Sequence, residues 1–97
     1  MPALTIARVT LKDAEKFKDY ASKAPQTMEA FGGEFLYRGK AGQNLTGGGF
    51  DHEFTVIYQF PSLERAQEWY ASRAYQDLIT LRDEAVDIEI MSYDLPG

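Results

Sequence analysis

Between Ala3 and Leu11 the side chains alternate, with Leu4, Ile6 and Arg8 on one side and Thr5, Ala7, Val9 and Leu11 on the other, which predicts a strand. Lys12-Asp13 breaks that period, and Asp13 is placed to cap a helix. From Ala14 the apolar positions recur every three or four residues, so that Phe17, Tyr20, Ala21, Ala24, Met28 and Phe31 share one helical face. Pro25 lies inside this stripe, where its missing N–H predicts a kink or the start of a second helical piece. Gly32-Gly33 ends the helix. Period two returns over Glu34–Arg38, with Phe35 and Tyr37 expected on one face and Leu36 and Arg38 on the other. It returns again over Glu53–Phe60, a run dense in β-branched and aromatic residues. Residues 39–52 hold Gly39, Gly42 and the run Gly47-Gly48-Gly49, keep no period, and predict a long hairpin loop. After Pro61, Ser62 caps a helix whose buried stripe is Leu63, Ala66, Trp69 and Tyr70. Ser72 starts a short helix carrying Tyr75, Leu78, Ile79 and Arg82 on one side. Over Val86–Tyr93, Val86, Ile88 and Ile90 alternate against Asp87 and Glu89, the pattern of a last strand.

The order β-α-β-β-α-β is the split-βαβ, or ferredoxin-like, plan: an α+β fold with a four-stranded antiparallel sheet and helices on one face. Yet the strands carry apolar residues on both faces. Phe54, Val56, Tyr58 and Phe60 oppose Ile57, and Phe35 and Tyr37 oppose Leu36. A second apolar sheet face needs another sheet against it, and a homodimer supplies one most simply.

Composition narrows the function classes. A length of 97 residues allows one domain, residues 1–97, with a modest core. Hydrophobic residues at 44% and charged residues at 26% are those of an ordinary globular chain. Fifteen acidic against ten basic side chains leave a net charge of −5, which argues against nucleic acid as a partner. No apolar run approaches the roughly 20 residues of a membrane helix and no signal-peptide pattern opens the chain, so a cytoplasmic protein without membrane partners is expected. With no cysteine and one histidine, neither a metal site nor a cofactor is expected.

That histidine, His52, ends the glycine-rich loop and is the one side chain able to act as a base near neutral pH. No G-x-S-x-G elbow accompanies it, and the glycine-rich loop leads into a strand instead of a phosphate-cradling helix. A sharper signal is the set of polar-tipped residues on faces that should be buried: Tyr20, Trp69, Tyr70, Tyr75 and Arg82, with Arg38 at the end of the second strand. Two readings fit them. They are core aromatics whose tips reach water, with arginines paired to carboxylates. Or they line a mostly apolar pocket between helices and sheet that fixes an anionic or oxygenated ligand.

Two stretches of the chain resemble a known family. They are Asp13…Phe17…Tyr20-Ala21…Ala24-Pro25…Phe31-Gly32-Gly33…Phe35-Leu36…Arg38-Gly39 and Phe60-Pro61-Ser62-Leu63…Ala66…Trp69-Tyr70…Ser72…Tyr75-Gln76…Leu81-Arg82. Together they resemble the family called domain of unknown function 1330, in the dimeric α+β barrel superfamily. Arg73-Ala74 departs from the Pro-Glu usual there, and the 39–52 loop ends in three glycines where the family has a shorter turn. The resemblance implies a ferredoxin-like subunit that pairs sheet to sheet with its twin. It delivers no reaction, although the wider superfamily includes cofactor-free monooxygenases and isomerases. The expectation is a small homodimer binding a small aromatic or oxygenated organic acid, with Tyr20, Arg38, Trp69, Tyr70, Tyr75 and Arg82 as ligand contacts. The alternatives are a cofactor-free monooxygenase or isomerase-like enzyme using His52, and a structural dimer with no ligand.

Overall fold

The computed structural model describes residues 1–49 and 52–96; Phe50 and Asp51 of the glycine-rich loop lie outside the described residues. The elements are β1 (Ala3–Leu11), α1 (Ala14–Glu29), β2 (Glu34–Lys40), β3 (Phe54–Phe60), α2 (Leu63–Ala71), α3 (Arg73–Gln76), α4 (Ile79–Ala85) and β4 (Val86–Asp94). Side-chain caps set the helix starts. The Asp13 carboxylate accepts from the amides of Glu15 and Lys16 at 3.1 Å each, the Ser62 hydroxyl from Arg65 at 3.1 Å, and the Ser72 hydroxyl from Tyr75 at 3.3 Å.

Two helical expectations are corrected. Of the two outcomes expected at Pro25, the restart is overturned, since α1 runs unbroken through that residue. The proline removes the donor that the Ala21 carbonyl would meet, but Ala21 is exposed, so water can take that role, while the buried Tyr20, Ala24 and Met28 hold both halves against the core. The segment after Ser72 is two helices, α3 and α4, broken at Asp77-Leu78, and α4 starts with no side-chain cap.

The sheet order is β2-β3-β1-β4, antiparallel throughout. The helices cover one face. Beneath them run the cross-strand rows Phe35–Tyr58–Thr5–Ser92 and Arg38–Val56–Ala7–Ile90. The opposite face carries the row Tyr37–Ile57–Ile6–Met91, one residue from each strand, flanked by Leu4 and Tyr93. These rows correct the alternation expected for the second strand. The register slips between Phe35 and Tyr37, a bulge that turns Phe35 and Arg38 to the helix side and Tyr37 to the other face.

The main core joins Tyr20, Ala24 and Met28 of α1 to Phe60 of β3, Ala66 and Trp69 of α2, and Tyr75 of α3. A second cluster, Val9, Phe54, Ala85 and Val86, closes the other end. Between α1 and β2 the chain passes tightly over Phe60. A Cβ on Gly33 would sit 2.8 Å from Met28 Cβ and 2.9 Å from the Phe60 ring, and Gly32 has φ +77°.

Candidate functional site

Small side chains on facing elements leave space inside this fold. Thr5 and Ala7 on β1 lie under Ala21 and Ala24 of α1, and between them is a cavity of about 190 Å³. Its walls are Phe17, Met28, Val56, Ile88 and Ile90, with the Trp69 ring at one side. The exposed Ala21, Phe35 and Arg38 border its mouth.

Arg38 reaches this mouth because of the bulge in β2. Its guanidinium lies 4.4 Å from the Phe54 ring centroid and 5.6 Å from that of Phe17, over two rings that themselves pack edge to face. Among the described residues no carboxylate forms an ion pair with it.

Two phenols, Tyr20 and Tyr58, line the cavity. Burial raises the ionisation of Tyr58 above the usual tyrosine range. Burial, reinforced by the neighbouring Tyr75, raises that of Tyr20 further, and Tyr58 adds to the same shift. Both are neutral hydroxyls at any physiological pH. An unfolded chain releases these protons near pH 10 while the folded chain retains them, so their contribution is present below that pH and lost as pH rises through and above it. Urea midpoints should therefore fall above about pH 10, and Tyr20→Phe should flatten the fall. An alkaline slope unchanged in Tyr20→Phe would contradict a buried neutral phenol there.

Behind Tyr20 stands a polar chain. The Tyr20 and Tyr75 hydroxyls are 2.9 Å apart. Arg82 Nη1 donates to Tyr75 at 3.2 Å and to Tyr70 at 3.0 Å, and Arg82 Nε donates to Asp83 at 3.0 Å. Burial works to lower the ionisation of Arg82, but the hydrogen bonds to Tyr70, Tyr75 and Asp83 outweigh it and keep the guanidinium charged.

Of the six residues expected as ligand contacts, Tyr20, Arg38 and Trp69 line the cavity. Tyr75 is fully buried behind Tyr20, Arg82 lies behind Tyr75, and Tyr70 is on the outer side of that chain, 38% exposed. The Trp69 N–H is taken by the Thr27 hydroxyl at 2.9 Å. Sequence reasoning missed Tyr58, Phe35 and Thr5 as lining residues.

His52 is elsewhere. Its Nδ1 lies 3.1 Å from the Thr10 hydroxyl and its Nε2 2.9 Å from Glu89 Oε1, and both partners alternate onto the sheet face away from the helices. No histidine or carboxylate lines the cavity among the described residues. Among those residues no group of three metal-ligating side chains assembles, and no helix is long and apolar enough to cross a membrane.

A four-stranded antiparallel sheet roofed on one side by helices, with a cavity between the layers, defines a ferredoxin-like α+β protein. The chain belongs to the family described as domain of unknown function (DUF1330), whose pattern matches residues 2–94. The fold is similar to that of RPA0582, a protein of unknown function from Rhodopseudomonas palustris, at 20% identity and TM-score 0.80, covering 99% of this chain and 83% of that one. It is also similar to SnoaB, a cofactor-independent oxygenase from Streptomyces nogalater, at 11% identity and TM-score 0.70, covering 99% and 94%. A third likeness is to a dimeric protein of unknown function with a ferredoxin-like fold from Bacteroides fragilis, at 12% identity and TM-score 0.57, covering 97% and 96%. No curated protein matches the chain.

Proposed function

We infer that this protein is a homodimer in which each subunit binds a small aromatic or oxygenated organic acid in the cavity between α1 and the sheet. The observation that carries the reading is Arg38, a cation without a carboxylate partner among the described residues, held over Phe54 and Phe17 at the mouth of a cavity with apolar walls. A carboxylate on the ligand would pair with that guanidinium while a ring fills the apolar space. A cavity of about 190 Å³ suits a single ring, since about 150 Å³ of apolar space holds benzene.

The cavity itself weighs against a ligand-free structural dimer. The enzyme alternative shares its fold with a cofactor-independent oxygenase, but it needs a base at the ligand. Among the described residues the titratable groups of the lining are Arg38 and two phenols held neutral, and His52 bonds to Thr10 and Glu89 on the far face of the sheet. Dimerisation is supported by the open face, where Tyr37, Met91 and Tyr93 are 62%, 59% and 39% exposed beside Leu4, Ile6 and Ile57, and by the dimeric state of the Bacteroides neighbour.

Calorimetric titration with benzoate tests the ligand reading. Wild type should bind it, and Arg38→Gln should weaken binding roughly tenfold or more by removing a charge-assisted pair. Ala7→Ile, which fills the floor of the cavity, should abolish binding while leaving the melting temperature within a few degrees or raising it. Unchanged affinity in both variants would place the ligand outside this cavity.

A further inference from the structure

The hydrogen bonds behind Tyr20 have a direction. A guanidinium can only donate, so at the Arg82–Tyr75 contact the Tyr75 oxygen is the acceptor. Tyr75 is 0% exposed, so its own O–H must find an acceptor inside the protein. Among the described residues the Tyr20 oxygen, 2.9 Å away, is the one group placed to receive it. Were Tyr20 to donate to Tyr75 instead, the Tyr75 proton would be left without an acceptor at 0% exposure, whereas Tyr20 lines the cavity, where its own proton can meet water or a ligand. By this matching of donors to acceptors the chain runs Arg82 to Tyr75 to Tyr20. At its end the Tyr20 O–H has no acceptor among the described residues, and Tyr20, like Tyr58, lines the cavity.

We propose that Arg82, acting through Tyr75, makes Tyr20 a one-way hydrogen-bond donor to the cavity, so that the site selects organic acids carrying an acceptor oxygen, such as a carbonyl, at the end remote from the carboxylate. This rests on the cavity being a ligand site with Arg38 at its mouth. Arg82 is a positioning residue: its charge lies two phenols away from the ligand and acts by fixing where protons point. The same chain accounts for a guanidinium whose side chain is 12% exposed among aromatic rings, with two phenols and the Asp83 carboxylate as its partners.

The test compares 4-formylbenzoate with 4-methylbenzoate by titration calorimetry. The two share ring and carboxylate and differ in one acceptor oxygen. Wild type should hold the formyl compound about fivefold to tenfold more tightly, the value of one neutral hydrogen bond in a desolvated site. Tyr20→Phe should bring the two to parity, so the quantity read is the ratio of the two affinities. Arg82→Lys, which can also only donate, should keep the preference. Arg82→Gln offers Tyr75 an acceptor, lets the chain reverse, and should lose the preference, read as the same ratio. A preference that survives Tyr20→Phe or Arg82→Gln overturns the proposal, as does equal binding of both compounds by wild type, which leaves the cavity reading standing. Binding of neither compound removes the cavity reading and this proposal with it. Should Arg82→Gln fail to fold, proton NMR of the wild type decides. A slowly exchanging Tyr75 hydroxyl proton with a cross-peak to the Tyr20 ring supports the direction, and a Tyr20 hydroxyl proton facing the Tyr75 ring overturns it.

Discussion

Trp69→Ala is expected to cost about 3–5 kcal/mol, the range for deleting a buried large aromatic. Trp69 is 2% exposed and sits among Phe60, Tyr70 and Tyr75, with ring centroids at 5.5, 5.9 and 4.5 Å. Its indole N–H also ties α2 to α1 through Thr27. Set against a total stability of about 5–15 kcal/mol for a domain, the loss should lower the melting temperature by roughly 15–30 °C. Trp69→Phe keeps most of the ring and gives up the bond to Thr27. The Thr27 hydroxyl still donates to the Ala24 carbonyl at 2.6 Å, so this variant should lose only about 1 kcal/mol beyond its volume change. Thermal and urea melts of the pair measure both effects. A drop of less than about 5 °C for Trp69→Ala would mean that the ring does not join the helices to the sheet.

What was legible in the sequence was local or periodic. The caps at Asp13, Ser62 and Ser72, the extents of β1 and β4, and the ferredoxin-like order follow from side-chain hydrogen bonding and from a period of two or near four. What was not legible depended on partners distant in the chain. Phe35-Leu36-Tyr37-Arg38 carries no glycine or break to announce a bulge, yet the slipped register against β3 decides that Arg38 faces the cavity. Thr5 and Tyr58 read as ordinary sheet positions. They become lining only because the small Ala21 and Ala24 of α1 lie over them.

Arg82 shows how spacing can be right and its meaning incomplete. Its position seven residues after Tyr75 does bring the two side chains together, and the demand that a guanidinium among apolar residues be satisfied is met. The partners, however, are phenols and an exposed carboxylate, and Tyr75 and Tyr20 stand between Arg82 and the cavity. No spacing rule places one side chain in front of another. His52 has the same lesson at the other end of the molecule. Adjacency in the loop fixed nothing about its side, and the Thr10 hydroxyl and Glu89 carboxylate hold it on the face opposite the cavity.

Ile57→Lys is expected to convert the proposed dimer to a monomer. Ile57 lies at the middle of the uncovered face, directly opposite Tyr37 on one side and Ile6 on the other, in the row that Met91 completes. In the free subunit its side chain is only half-buried, so a lysine there can send its ammonium into water and the fold should be little disturbed. Against a second sheet the same ammonium would be buried without a partner, and two-fold symmetry would bury it twice. At about 2 kcal/mol or more per copy, the dissociation constant should rise by roughly a thousandfold. Light scattering at micromolar concentration should then fall from about twice the 11.0 kDa chain mass to that mass, with far-ultraviolet circular dichroism unchanged. Thr10→Val, at the polar end of the same face, should leave the dimer in place. If Ile57→Lys remains dimeric, the subunits meet through another surface, and the apolar row from Tyr37 to Met91 needs a different occupant.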